Sequence, residues 1–297
     1  MLSELGAGIF LVPGRRKARY PYCNSLYIED ELPVIIDPAS DRKELAQLNN
    51  IQLVLLSHFH SDHIRELGIF SQARLGIHQS EASALSDEKK LIELIFFTEE
   101  DKEEIESWLS RKAREMKIEE WNYPVSDPLL DQQEIYLGKT RLKIIHTPGH
   151  TIGHCCFWFP EPEILFSADI DLAEFGPWYG NACSSAEDFF SSIEKLKLLK
   201  PRLVITGHEE GIVKGEEFLA KLERFQRVLL EREEKIVSAL DSPKSLEEIV
   251  DLGIIYGEFL KKSPGLRPPE RRMVIHHLKW LEKRGLVRKI SDSWKRD

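Results

Sequence analysis

Apolar positions along the first sixty residues come in short runs separated by polar turns. Asn24-Ser25-Leu26-Tyr27-Ile28 is followed by the charged turn Glu29-Asp30-Glu31, and Val34-Ile35-Ile36 by Asp37-Pro38. Both runs predict strands, and 43–48 reads as a helix. The continuous apolar run Ile51 to Leu56 predicts a strand in a sheet covered on both faces. Strand, helix, strand in that order predicts an α/β layered architecture. From Asp87 to Lys117 the period changes. Leu91, Leu94 and Ile95, then Ile105, Trp108 and Leu109, recur at helical spacing among dense charges. They predict an inserted helical pair over 87–128, with Phe96, Phe97, Trp108 and Trp121 as its packing face. Strands resume at 134–137, 142–146, 155–159 and 164–166, and a helix over 186–199 leads to a strand over 203–206.

Beyond Gly215 the pattern is helical over 217–240 and breaks at Ser242-Pro243-Lys244-Ser245, where Ser245 is a good N-cap. A short helix over 245–250, a longer one from Pro268 or Pro269 to Arg284, a stop at Gly285 and a strand over 286–290 outline a winged helix. The expected division is a catalytic domain over 1–217 and a winged-helix-like domain over 218–297. Charge follows it: residues 225–297 hold 16 Lys or Arg against 12 Asp or Glu, whereas the whole chain of 297 residues is at −9. An acidic main body is not a general polyanion binder, although one basic face can still be. Apolar runs fall far short of the roughly 20 residues that span a bilayer. The start shows no charged-then-apolar leader. The four cysteines form no CxxC pair, which predicts a reducing, cytoplasmic setting without structural disulfides.

The chemistry begins directly after the apolar run 51–56, at His58-Phe59-His60-Ser61-Asp62-His63. Residues two apart in extended chain point the same way, so His58 and His60 reach one metal, and after the turn Asp62 and His63 face a second. Imidazoles with a carboxylate suit Zn, or Fe and Mn where oxygen donors dominate. Further donors cap other strands: His150 in Thr147-Pro148-Gly149-His150-Thr151, Asp169 in Ser167-Ala168-Asp169, and His208 in Thr206-Gly207-His208. Five histidines and two aspartates on four strand ends converge on a dinuclear centre. Phe175 to Asn181, with two glycines and a proline, is either a packed connection or a pocket wall built from Trp178 and Tyr179 with Asn181 as a donor. His78 and His154 are expected to be structural or supporting, and Cys155 and Cys156 to pack as small hydrophobes.

HxHxDH, TPGHT, an Asp after a strand and then GH, in this order, resemble the metallo-β-lactamase superfamily over roughly residues 5 to 215. The opening Asn24, Ser25, Ile28 and Ile36-Asp37-Pro38 is similar to that family's as well. The resemblance implies an αββα sandwich. It implies one metal on His58, His60 and His150, a second on Asp62, His63 and His208, and Asp169 as the bridge. His60, where flavodiiron members carry Glu, favours hydrolysis over redox. Two divalent ions, Zn before Fe or Mn, would generate a metal-bound hydroxide, with Asp62 and Asp169 orienting it or accepting its proton. The expected activity is hydrolysis of a small thioester or other ester. One alternative is an RNA or phosphodiester hydrolase, since the tail resembles a subgroup that includes endoribonucleases. Another is a ligand-binding regulator with little turnover. Lys261, Lys262, Arg267, Arg271, Arg272, Lys279, Lys283, Arg284, Arg288 and Lys289, with Trp280 and Trp294, form either a nucleic-acid face or a lid or homodimer surface with solvated charges. The tail departs from the glutathione-contacting helical domain of glyoxalase II, and Ile64-Arg65-Glu66-Leu67 stands where small residues are usual.

Overall fold

The computed structural model describes residues 2–97, 101–107, 122–209 and 211–297. Alternation along each strand sets the architecture. In β4 (Val34–Ile36) and β5 (Leu53–Leu55), Val34, Ile36, Leu53 and Leu55 point inward, while Ile35 and Val54 point to the opposite face. Both sets are buried, so the sheet is covered on both sides, as the unbroken apolar run requires. This sheet has six strands in sequential order: β1 (Ser3–Gly6), β2 (Ile9–Val12), β3 (Ser25–Ile28), β4, β5 and β6 (Arg74–Gly76). The last three run parallel.

The second sheet runs β12-β11-β10-β9-β8-β7, built from β7 (Glu134–Tyr136), β8 (Arg141–His146), β9 (Cys155–Phe159), β10 (Ile164–Ala168), β11 (Leu203–Thr206) and β12 (Ile212–Lys214). Its inward residues, among them Ile144, Phe157, Phe166 and Ile205, meet the inward residues of the first sheet in one apolar layer. The outer face of the first sheet is covered by Leu45, Ile64 and Leu91 from short helices. The outer face of the second is covered by helices Ala186–Leu196, Gly215–Ala239 and Arg267–Lys283. The result is a helix–sheet–sheet–helix sandwich.

The expected 87–128 insert begins as a helix, Glu88–Ile95, capped by the Asp87 side chain on the Lys89 and Lys90 N–H groups. Residues 102–107 are again helical. Trp108, Leu109 and Trp121 lie outside the described residues. Gly215–Ala239 then runs unbroken through 217/218. It leads to β13 (Lys244–Ser245), helices Leu246–Asp251, Glu258–Lys262 and Arg267–Lys283, β14 (Val287–Ile290) and β15 (Ser293–Arg296), whose sheet order is β13-β15-β14. A capping box, Ser245 with Glu248, starts the first of these helices, and Gly285 at φ +69° follows the last. No helix among the described residues is long and apolar enough to cross a membrane.

The basic residues of the tail divide: Lys261, Lys262, Arg288 and Lys289 are exposed, while others are paired. Arg272 is buried and pairs with Asp101 and Glu104, Arg267 with Glu247 and Asp251, Lys283 with Glu187, and Arg284 with Glu233. Lys279 lies over Phe97, and Trp280 is buried. Arg272 and Lys283 thus reach acidic partners in the body, whereas Arg267 and Arg284 find theirs within 218–297.

Candidate metal centre

Four strand ends meet at one edge of the sandwich. The loop after β5 carries His58 and His60, and one helical turn, Ser61–Ile64, presents Asp62 and His63. β8 leads to His150, β10 to Asp169 and β11 to His208. The close turns need particular backbones. Gly149 has φ +137°, and a Cβ there would sit 2.3 Å from the Phe189 Cα. At Gly207 a Cβ would press on the Ala168 carbonyl oxygen at 3.0 Å and on the His63 ring at 3.2 Å.

The side chains form two groups. His150 Nε2 lies 3.2 Å from His58 Nε2, 2.9 Å from His60 Nδ1 and 3.0 Å from Asp169 Oδ2. In the second group, His63 Nε2 lies 3.2 Å from His208 Nε2, and Asp62 Oδ2 is 3.5 Å from the same His208 nitrogen. Asp169 Oδ1 faces this second group, 2.8 Å from His63 Nε2 and 3.5 Å from His208 Nε2. It is buried, yet it accepts no hydrogen bond of acceptable geometry. A buried carboxylate oxygen left without a donor is costly. Here it faces ring nitrogens that converge on a common point, an arrangement that fits a cation. Both groups are able to hold a metal ion.

The outward nitrogens are held, which fixes the tautomers. Asp37 Oδ2 accepts from His63 Nδ1 at 2.8 Å and from the Ser57 hydroxyl at 2.6 Å, while Ser57 Oγ lies 2.9 Å from His58 Nδ1. His150 Nδ1 donates to the Trp178 carbonyl at 2.8 Å, and His208 Nδ1 to the Ala18 carbonyl at 2.6 Å. His60 Nε2 is 2.6 Å from the Asn181 side-chain amide. With Nδ1 turned to the cluster, Nε2 carries the hydrogen and the amide oxygen receives it, since the two ends of an amide are interchangeable. His154 accepts the Asp169 N–H through Nε2 at 3.2 Å, a supporting position.

Electrostatics separate the two groups. Burial and the neighbouring imidazoles hold His58 and His60 well below the usual histidine range. Burial also opposes charge on His63 and His208, but the facing Asp169, with Cys23 and Asp37 at His63 and Asp62 at His208, raises both. Burial and the neighbouring Asp169 push Asp171 up to about 7.

A cavity of about 580 Å³ opens onto the centre, lined by Asp62, His150, Asp169, Asp171, Trp178 and His208 and also by Arg19 and Tyr20. Trp178 is therefore a wall. Tyr179 is not: it is fully buried, and its hydroxyl lies 2.6 Å from His277 Nε2 and accepts from Arg232 at 3.1 Å. Asn181 is buried too and meets His60 rather than the cavity. Asp37, noted in the sequence only as part of Ile36-Asp37-Pro38 and given no role there, and Glu81, not noted at all, both carry hydrogen bonds at the site. Asp37 ends the run Val34-Ile35-Ile36, the same strand-end signal that marks the other site residues. Glu81 accepts from the Phe59 and Gly153 N–H groups at 3.0 and 2.6 Å, and no pattern announces it.

The chain is similar to several known proteins. A Caenorhabditis elegans beta-lactamase-like protein 2 homolog is 26% identical over 211 residues, covering 71% of this chain and 58% of its own. Hydroxyacylglutathione hydrolase of Cereibacter sphaeroides is 27% identical over 194 residues, 64% of this chain and 60% of its own. The human acyl-coenzyme A thioesterase MBLAC2 is 27% identical over 166 residues, 52% and 55%. The chain thus spans between half and two thirds of the length of these relatives. A solved metallo-beta-lactamase family protein from Thermus thermophilus superposes with a TM-score of 0.73 at 22% identity, covering 99% of this chain and 100% of that one. The family model described as the metallo-beta-lactamase superfamily matches residues 19–208. That match takes in every side chain of the two clusters, and the chain belongs to the metallo-β-lactamase superfamily.

Proposed function

We propose that the protein is a dinuclear-metal hydrolase of small thioesters, with zinc as the resident metal. The observation that carries the proposal is Asp169, whose two oxygens face two separate clusters and whose Oδ1 is buried without a hydrogen bond. His58, His60 and His150 would hold one ion, Asp62, His63 and His208 the other, and Asp169 both. Bound there, the ions supply Lewis acidity and a water that ionises near neutral pH. The chain's own part is orientation. Asp37, Ser57, Asn181 and the Trp178 and Ala18 carbonyls fix the rings, Trp178 screens one side of the cavity, and Asp62 and Asp169 face the cavity where a proton leaves the attacking water. Two relatives named as hydrolases of acylated thiols support the thioester class over other esters.

The same reading divides the chain at 217/218 into a catalytic body and a winged-helix-like tail. It places the protein in a reducing, cytoplasmic setting, where burial pushes the Cys23 and Cys156 thiols up to about 12 and keeps them unreactive. Elemental analysis of protein purified without added metal should give near two zinc per chain, and the protein should cleave acyl-thiol substrates. Asp169→Ala should remove both the second equivalent and the activity. Well under one metal per chain, with none regained on reconstitution, would sink the ligand set.

A further inference from the structure

The segment that brings Arg19 to the cavity has an unusual charge. Arg15, Arg16, Lys17 and Arg19 put four cations into five residues of a chain whose net charge is −9. All four are exposed, and Arg19 with Tyr20 lines the cavity beside Asp62 and His208. A fifth cation joins from the far side of the HxHxDH turn: Arg65 and Arg15 both lie over the Tyr22 ring, at 5.3 and 5.2 Å from its centroid. Acidic neighbours offset only part of this. Glu209 is 3.5 Å from Arg19 and Glu66 is 3.8 Å from Arg65, but among the described residues no acidic partner meets Arg16 or Lys17.

The segment is not a loose solvated run. Arg16, Lys17 and Ala18 stand consecutively at φ +53°, +60° and +53°, a conformation that costs energy for side chains with a Cβ. It is fastened to the metal centre at both ends. Ala18 gives its carbonyl to His208 Nδ1, and the Gly14 N–H donates to Asn24 Oδ1, while Asn24 itself donates to the Thr206 and Gly207 carbonyls next to His208. Like charges crowded on a strained, anchored backbone repel one another, and a multiply charged anion relieves that.

We infer that this basic rim binds the phosphate groups of the substrate's thiol portion, so that the substrate is a phosphate-bearing acyl thioester of the coenzyme A type. The inference rests on the hydrolase reading only for the identity of the reacting bond. The rim itself is tested by binding. The acyl carbon would lie over the two clusters, and the phosphates would leave the cavity past Arg19, which lines it, toward Arg15 to Lys17.

The probe is the adenosine bisphosphate fragment of coenzyme A, which carries no thiol, titrated by calorimetry into the metal-loaded full chain. The test variant combines Arg15→Gln, Arg16→Asn and Lys17→Asn, because Asn tolerates the left-handed backbone. Its metal content is measured alongside. We expect the fragment's Kd to rise at least about tenfold in the variant and on raising NaCl from about 50 to about 500 mM. The charge-keeping pair Arg16→Lys, Lys17→Arg should restore binding. Wild-type kcat/KM should favour acetyl-coenzyme A over acetyl-pantetheine at least about tenfold, with that ratio collapsing in the variant. Equal affinity in wild type and variant, or equal kcat/KM for the two thioesters, would overturn the inference. So would displacement of the fragment by an RNA oligonucleotide well below the fragment's own Kd, which assigns the rim to a polynucleotide. If no thioester is cleaved while the fragment's binding is still lost in the variant, the hydrolase reading fails and the anion site stands.

Discussion

Asp37 belongs to neither cluster, yet its carboxylate supports both. It accepts from His63 Nδ1 directly, and it accepts from Ser57, whose hydroxyl reaches His58 Nδ1. Replacing it with Asn leaves the shape and removes the charge that makes these imidazoles strong donors of electron density. Asp37→Asn should weaken metal binding by about 10- to 100-fold, read by competition with a chromophoric chelator. Unchanged affinity would show that Asp37 only packs. The residues of the two clusters were legible in the sequence for a physical reason: one hexapeptide carries four of them, and His150, Asp169 and His208 each follow an apolar strand. Tyr179 was not legible. An aromatic between Trp178 and Gly180 in an irregular loop gives no direction for its ring, and the partners that bury its hydroxyl, Arg232 and His277, lie 53 and 98 residues further along the chain.

At the level of elements, the tail helices hold the loop that holds the centre. Arg232, from helix Gly215–Ala239, donates to the Phe175 and Pro177 carbonyls, both at 2.6 Å. Arg272, from Arg267–Lys283, donates through Nε to the Gly180 carbonyl at 2.5 Å and forks onto Glu104 at 2.7 and 3.1 Å, with Asp101 at 3.1 Å. The loop between them supplies the Trp178 carbonyl to His150 and the Asn181 amide to His60. Arg272→Ala strands a buried Asp101 and the half-buried Glu104, so it should cost about 3 kcal/mol in urea unfolding. It should also loosen the metal, measured as a lower chelator-competition affinity. Arg272→Lys should recover little, because an ammonium cannot fork across a carboxylate. If Arg272→Ala unfolds more easily but binds metal as tightly as wild type, the loop is ordered without the tail. The tail's helices could be read from Ser245, the proline pair and Gly285, but the direction of their basic side chains could not. Asp101 and Glu104 stand 171 and 168 residues from Arg272, beyond any local pattern. The N-terminal hairpin β1–β2 and the edge strands β6 and β12 escaped for the opposite reason, being only three or four residues each.

Across the whole molecule a single apolar cluster runs from Ile145 and Val204 of the second sheet, through Phe189 and Phe225, to Met273, Leu281 and Val287 of the tail. Cutting at 217/218 would expose that layer, so body and tail should unfold in one transition, with coincident fluorescence and circular dichroism curves. His276 offers a way to watch that junction through pH. Burial holds its pKa down at about 4, although its Nε2–H donates to the Asn181 carbonyl at 2.8 Å. Above pH 6.5 neither state carries the proton, and the full stability is present. As pH falls below 6.5 the unfolded chain binds a proton that the folded chain refuses, so stability drops until about pH 4, where the folded imidazole also titrates. By pH 5 this one residue removes ~2 kcal/mol relative to pH 7. In metal-free protein, His276→Gln keeps a donor for Asn181 and does not titrate. The pH 7 to pH 5 loss in urea midpoint should therefore be smaller in the variant than in wild type by the denaturant equivalent of that amount. An equal loss in both proteins would mean that His276 accepts its proton without leaving the junction.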